Sequence, residues 1–452
     1  MIPQTPAGRG ELSARGHPTS ARRVIAASLI GTSLEWYDFF VYGTAAALVF
    51  NKLFFPSFEP LVGTLLAFTT YAVGFAARPL GGIIFGHYGD RLGRKNVLVV
   101  TLLVMGLATF LIGLLPTYAT IGRWAAILLV TLRFVQGLGL GGEWGGAVLM
   151  SMEHGDPARR GLNASWPQVG VPAGLLLANG VLALISALTS DAGFLSWGWR
   201  VPFLLSGVLV LVGLWIRLTI SESPLFEEIE QEHTKARMPV LDVLRVYPRS
   251  VLTALGARIG VDVAFYTFVL FIVTYVTQVL KVPRATALNA VLIGAAVQLA
   301  LIPLFGWLSD RLGRRPVYLF GAVGALLWVF AFFLLLDTRS APLIVLATVV
   351  ALVFHAAMYG PQAAFIAELF STRLRYSGAS LGYQIAGVLG GALAPIISIA
   401  LLGRFHTWLA ISLYVSAMLL ITIVAVFAAQ ETSTINLHAE KPTERAIIDA
   451  SA

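Results

Sequence analysis

The 452-residue chain contains no cysteine and little charge. Without thiols it has neither disulfides nor thiolate metal sites, and composition is silent on redox compartment. Only 12% of its residues are Asp, Glu, Lys or Arg, against about 25% in a soluble domain. The seven histidines are scattered and no Ser/His/Asp arrangement stands out, so no metal and no cofactor are expected. A membrane-embedded enzyme is therefore a remote reading.

What the chain does have is apolar sequence, at 57% hydrophobic residues and a mean hydropathy of +0.81. Runs of roughly 20 residues, enough to cross a ~30 Å hydrocarbon layer, can be marked out twelve times. The approximate spans are 24–50, 63–86, 97–115, 124–150, 162–188, 200–219, 249–279, 286–306, 316–336, 343–368, 375–402 and 406–429. Lipid offers no partner to unpaired backbone groups, so all are expected to be helices. One long hydrophilic connection, 220–248, divides them six and six. The expected architecture is an all-α membrane protein: a disordered tail (1–21), a six-helix bundle (22–219), a linker (220–248), a second six-helix bundle (249–430) and a polar tail (431–452).

The net charge of +8 does not point to nucleic acid. About 20 of the 31 Lys and Arg fall on one side if every run spans, which by the positive-inside rule puts both termini in the cytoplasm. Residues 1–20 lack the apolar core of a signal peptide.

Two short sequences occur twice. Gly86-His87-Tyr88-Gly89-Asp90-Arg91-Leu92-Gly93-Arg94-Lys95 recurs 220 positions later as Gly306-Trp307-Leu308-Ser309-Asp310-Arg311-Leu312-Gly313-Arg314-Arg315. A Glu and an Arg seven residues apart, Glu153 and Arg160, have counterparts in Glu368 and Arg375, and each pair is followed by Ala-Ser (Ala164-Ser165, Ala379-Ser380). Copies on the same face imply halves of parallel topology, related by an axis along the membrane normal. In each signature Gly86, Gly93 and their counterparts permit a tight turn. Asp90 suits a neighbouring helix N-terminus, where the macrodipole favours an anion. Arg91, Arg94, Lys95 and Glu153, with Asp310, Arg311, Arg314 and Glu368, are candidates for an ion-pair latch closing the cytoplasmic gate; the bland alternative is a basic topology anchor.

The duplicated G-x-x-x-D-R-x-G-R-[KR] loop resembles that of the major facilitator superfamily. Gly31-Thr32 with Glu35-Trp36-Tyr37-Asp38-Phe39, Ala77-Arg78-Pro79-Leu80-Gly81-Gly82, Arg133-Phe134 with Gln136-Gly137, and Glu368-Leu369-Phe370 look like the metabolite:proton symporter family, over about residues 22–430. That family includes carriers of proline and betaine, shikimate, 2-oxoglutarate and citrate. The resemblance implies proton-coupled uptake of a small, usually carboxylated, solute.

Seven ionisable residues lie well inside predicted spans: Glu35, Asp38, Glu143 and Asp262 against Arg78, Arg133 and Arg258. Each costs a few kcal/mol at the bilayer centre unless paired or wet, so each is a functional candidate. Four acids against three bases leave one carboxylate as the natural proton-binding group. Asp38 and Arg133 lie roughly 18 and 14 Å from the outer ends of their helices and are expected to meet near mid-membrane. In sugar-proton carriers of the superfamily such a pair couples proton to substrate; a permanent structural ion pair is the other reading. Glu35 and Glu143 are further proton-coupling candidates. Arg78 either binds a substrate carboxylate or neutralises one of these acids. Arg258 and Asp262, four apart, are expected to pair with each other. His355 is either a proton relay or a packing histidine. Tyr42, Gln136, Gln168, Tyr266, Gln298 and Gln384, with Arg78 and Arg133, are candidates for the substrate-binding surface, and Trp166 and Tyr383 lie at comparable depth.

The expected function is proton-coupled import of a small organic acid or zwitterion by alternating access, in the cytoplasmic membrane, with lipid, solute and protons as partners. One chain contains both halves, so a monomer suffices. Efflux or exchange of an apolar compound, and a transport-like receptor, are the alternatives.

Overall fold

The structure, a computed structural model, describes residues 21–92, 94–140, 144, 148–149, 151–152, 156–219, 239–371 and 374–435. Among them there is helix and no strand. The long helices are α1 (Ala21–Ala45), α2 (Pro60–Leu92), α3 (Arg94–Leu114), α4 (Trp124–Gly139), α5 (Arg160–Leu188), α6 (Arg200–Thr219), α7 (Pro248–Tyr266), α8 (Arg284–Leu312), α9 (Arg314–Asp337), α10 (Ala341–Glu368), α11 (Arg375–Ala386) and α12 (Trp408–Ala428). Eight stretches among the described residues are long and apolar enough to cross a membrane, or nine if the bent pair Asp191–Gly198 and Arg200–Trp215 is one span. Val99–Leu114 and Trp124–Gly139 are shorter apolar helices, and α1, which carries Glu35 and Asp38, is outside both groups. The twelve full-length apolar runs expected above are thus only partly matched by length and hydropathy.

The helices start and stop for local reasons. Proline opens α7 and stands in the first turn of α10, where its missing N–H costs no hydrogen bond. Gly313 separates α8 from α9 at φ +97°, a conformation that excludes side chains, which is why the second signature needs glycine there. Five π-helical turns interrupt the regular pattern. Ala46–Phe50 extends α1, Phe194–Gly198 precedes α6, Thr267–Phe271 and Tyr275–Val279 extend α7, and Gly387–Ala392 extends α11. Such widened turns leave a helix easier to bend than the α-helical ladder does.

Packing divides the helices. In the first six, α1 lies on α5, α3 on α6 and α2 on α4; in the second, α8 and α9 lie on α10 and α7 on α12. The two groups meet chiefly where α5 packs on α8 and α10, and where α2 packs on the α11 segment. Lipid supplies no hydrophobic drive between helices, so close backbone approach has to. At Gly137 a Cβ would sit 2.2 Å from the Gly74 carbonyl oxygen and 2.8 Å from the Ala77 Cβ, so α2 and α4 touch backbone to backbone. Gly137→Ala is therefore expected to force them apart and destabilise the protein by about 1–3 kcal/mol. A thermal unfolding midpoint in detergent equal to that of the parent chain would show that the contact is slack.

Candidate transport site and gates

Two buried arginines project from α2 and α4. Arg133 is fully buried and surrounded by ring faces, its Cζ 4.5 Å from the centroid of Phe39, 4.3 Å from Tyr42 and 4.8 Å from Tyr71. Arg78 is boxed in the same way by Trp36, Phe39 and Phe75, at 5.4, 4.4 and 4.7 Å. Ring quadrupoles soften the burial of a cation, but they do not use its N–H groups. Arg133 spends one N–H on Gln136, three residues along α4. The Nε and Nη2 of both Arg133 and Arg78 have no acceptor among the described residues. Four guanidinium donors thus stay open, two either side of Phe39.

Asp38 does not pair with Arg133. The hydroxyls of Ser206 and Thr109 and the Arg133 guanidinium are the groups that favour its charge, and one carboxylate oxygen is unpartnered. Gln136 intervenes: its amide oxygen takes the Arg133 donor, and its Nε2 donates to Thr109 Oγ1 (2.7 Å) and more weakly to the Asp38 carbonyl (3.5 Å). The direct contact expected from helix depth is not made: Arg133 turns towards the rings, and Gln136 reaches only the main-chain carbonyl of Asp38. Tyr42, beside it, shares a hydrogen bond with Thr70 (2.5 Å).

The second half is better satisfied. Arg258 and Asp262 pair at 2.9 Å, and Arg258 also donates to Gln362 Oε1 (3.3 Å). Its guanidinium covers the Tyr383 ring, 3.2 Å from the centroid. His355 Nδ1 accepts from the Gln298 amide nitrogen (2.8 Å), its ring stacks on Tyr359 and lies tilted against Phe265, and Gln298 also donates to the Leu352 carbonyl. A small cleft between the halves is lined by Glu35, Trp36, Arg78, Trp144, Tyr383 and Gln384, with Thr32 and Leu140.

Both ends of this site are closed. At the end bearing the signatures, Asp310 accepts from the backbone N–H groups of Gly161 (2.7 Å) and Leu162 (2.9 Å), the first turn of α5. An anion on a helix N-terminus thereby ties the second half to the first. Arg314 pairs with Asp310 (2.6 Å) and holds both oxygens of Glu368 (3.1 and 3.2 Å), and Arg160 approaches Glu368 from the first half at 3.4 Å. Residues just beyond α12 complete the knot. Thr432 donates to Glu368 (2.7 Å), Arg160 donates to the Ser433 carbonyl (2.7 Å), and Glu431 accepts the N–H groups of Arg314 and Arg315. Burial works against the Glu431 charge, but these backbone donors outweigh it and hold its pKa below the ordinary carboxylate value. Arg311 stands apart, lying on the Trp307 ring.

At the opposite end Gln278, on the second π turn after α7, donates to the Ala47 carbonyl (3.2 Å) and to Thr64 (2.9 Å). Between the ends, rings meet across the halves: Phe40 with Phe265, Tyr71 with Tyr266, Phe75 with Tyr266.

Of the other candidates, Gln168 accepts the Trp144 indole N–H at 2.9 Å, and Tyr266 belongs to the central ring pile. Gly86, Asp90, Arg91, Arg94 and Lys95 fall in α2 and α3, but their side chains lie outside the described residues, as do Gly93, Glu143 and Glu153 altogether. Sequence reasoning missed Gln278, the Trp144–Tyr383 contact and the 431–435 segment. Only Glu431-Thr432 carried a signal, as a polar pair directly after the last apolar run.

Removing Arg314 would leave Asp310 and Glu368 buried with only Arg160 nearby. Arg314→Ala is expected to cost about 3–5 kcal/mol of stability, as a broken buried pair does. An unfolding midpoint within 1 °C or so of the parent would mean that the latch is already wet.

The chain matches the family model described as Major Facilitator Superfamily over residues 28–379 and 259–450. It is 45% identical to the shikimate transporter of Escherichia coli K12 over 406 residues, 89% of this chain and 93% of the relative. Against the proline/betaine transporter of the same organism it is 32% identical, covering 95% of this chain and 87% of that one. A D-xylose-proton symporter crystal structure superimposes with a TM-score of 0.69 at 20% identity, over 91% of this chain and 98% of the other. The partially occluded, inward-open xylose transporter from E. coli gives 0.70 at 21%, over 92% and 99%. These relatives are carriers rather than enzymes, the long apolar helices fit a multi-pass membrane protein, and the chain belongs to the major facilitator superfamily, within its metabolite:proton symporter family.

Proposed function

We propose that the chain is a twelve-span importer of the cytoplasmic membrane that couples entry of a small organic carboxylate to a proton, with both termini and the signature end in the cytoplasm. Its two six-helix halves, 22–219 and 249–430, rock about the cleft between them. The observation that carries this reading is Arg78: buried, boxed by three rings, lining the cleft, and with Nε and Nη2 unanswered. A planar carboxylate answers two guanidinium donors at once, which no neutral solute does as well. The same box argues for an acid over a betaine. An aromatic cage suits a quaternary ammonium only when empty, and here a guanidinium fills it. The 45% identical shikimate transporter makes a hydroxylated ring carboxylate the first solute to try.

Asp38 is the proton carrier in this scheme. It is buried at 2% exposure with one carboxylate oxygen unpartnered, and Arg133 is the cation whose field reaches it. When Asp38 is ionised, its field helps to satisfy Arg133; when it is protonated, Arg133 is free for an anion. Loading of proton and substrate thereby favour one another, and release of either weakens the hold on the other. The efflux reading finds no such support, because an apolar cargo would leave the four guanidinium donors unpaired.

Proteoliposomes holding a trapped pH dye test the scheme. Shikimate and simple carboxylates added outside should acidify the lumen, betaine and proline much less. An inside-negative potential should strengthen the signal unless substrate charge cancels it. Asp38→Asn should abolish accumulation while leaving exchange of internal for external substrate; accumulation at the parent rate would remove Asp38 from the coupling. Arg78→Lys should raise the KM for the carboxylate roughly ten-fold or more, since an ammonium lacks the fork. An unchanged KM would place the carboxylate elsewhere.

A further inference from the structure

Trp144 and Tyr383 lie face to face, with centroids 3.6 Å apart and ring planes 18° apart. One comes from the helical residues beyond α4, the other from α11, so the stack spans the two halves. Each ring is fastened only to its own half. The Trp144 indole N–H is held by Gln168 on α5. The face of Tyr383 turned away from Trp144 is covered by Arg258, which Asp262 and Gln362 fix, and Gln362 is fixed in turn by Tyr318 (2.8 Å). No hydrogen bond joins the two rings to one another: the Trp144 N–H goes to Gln168, and the Tyr383 hydroxyl has no hydrogen-bond partner among the described residues.

Its depth is informative. Tyr383 lies eight residues into α11 from Arg375, and Gln168 eight into α5 from Arg160, about 12 Å from the latch at the helical rise. Arg78 lies fourteen residues from the end of α2 at Leu92, about 21 Å. The stack therefore stands between Arg78 and the charged latch, and both rings line the cleft.

We infer that Trp144 and Tyr383 form an inner gate on the cytoplasmic side of the carboxylate site, a second closure behind the ion-pair latch. Parting the rings opens the cleft and exposes the Tyr383 face that Trp144 covers, while Arg258 stays on the opposite face and holds the ring in the second half. This rests on the transport reading above, but the test needs no substrate.

The parent chain has no cysteine, so Leu140→Cys gives a single thiol lining the cleft. Vesicles with the cytoplasmic face outward would be treated with a membrane-impermeant thiol reagent. The rate should be low with both rings intact and with Trp144→Phe, and at least ten-fold higher with Trp144→Ala or Tyr383→Ala. Equal rates in a folded alanine variant and the parent would overturn the gate. Should both alanine variants fail to fold, the double variant Trp144→Cys, Tyr383→Cys decides. Joined by a short bifunctional methanethiosulfonate, it should stop transport of radiolabelled shikimate, or of whichever carboxylate the parent carries, and regain it on reduction. Full transport by the cross-linked protein would overturn the gate. If the labelling arm succeeds while no carboxylate is carried, the gate stands and the substrate assignment falls.

Discussion

A guanidinium inside hydrocarbon has to be answered by the protein itself, and how completely it is answered separates the two halves of this molecule. Arg258 receives a carboxylate, an amide oxygen and a ring face. Arg133 has an amide oxygen and three rings; Arg78 has rings alone for its Nε and Nη2. Rings lower the cost of the charge without using up its directional donors, so the cation is kept in place and still able to bind. A full set of carboxylates around Arg78 would have made it a structural rivet. In the second half the deep cation Arg258 is engaged in this way.

Closure uses different chemistry at different depths. At the signature face buried charges do the joining: Asp310 on the first turn of α5, Arg314 and Arg160 around Glu368. Deeper, the halves meet through rings, and at the far end Gln278 reaches from a π turn to Ala47 and Thr64 while Arg284 pairs with Asp191 (2.8 Å) and donates to Ser186 (2.6 Å). Contacts of this kind are individually modest, which suits surfaces that must part and rejoin. A continuous buried salt-bridge network across the interface would hold one state too firmly.

The helical, apolar character of the chain and the duplicated signature were legible because hydropathy and sequence identity are local properties. The role of Asp310 as an anion on a helix N-terminus was foreseeable from its twin Asp90, although which helix it caps was not. Asp38 and Arg133 show where such reading stops. Helix depth placed them level, yet side-chain direction decided the outcome, and Arg133 turned to Phe39, Tyr42 and Tyr71 while Gln136 took the space between. Nothing in the order of residues marks Trp144 and Tyr383 as partners 239 positions apart, since a stack across halves depends on how two bundles are set together. Helix α1, which carries Glu35 and Asp38, is not among the helices long and apolar enough to cross a membrane.

The segment 431–435 lies beyond α12, yet it supplies Glu431, Thr432 and two carbonyls to a knot whose other members come from α5, α9 and α10. During synthesis every long helix must therefore already be made before the knot can be tied. A half-built chain emerging into the bilayer has Arg160 and, later, Arg314 and Glu368 without their last partners. The order of translation thus makes closure of this face a terminal event in assembly, and a nascent carrier stays unlocked until its final helix is in place.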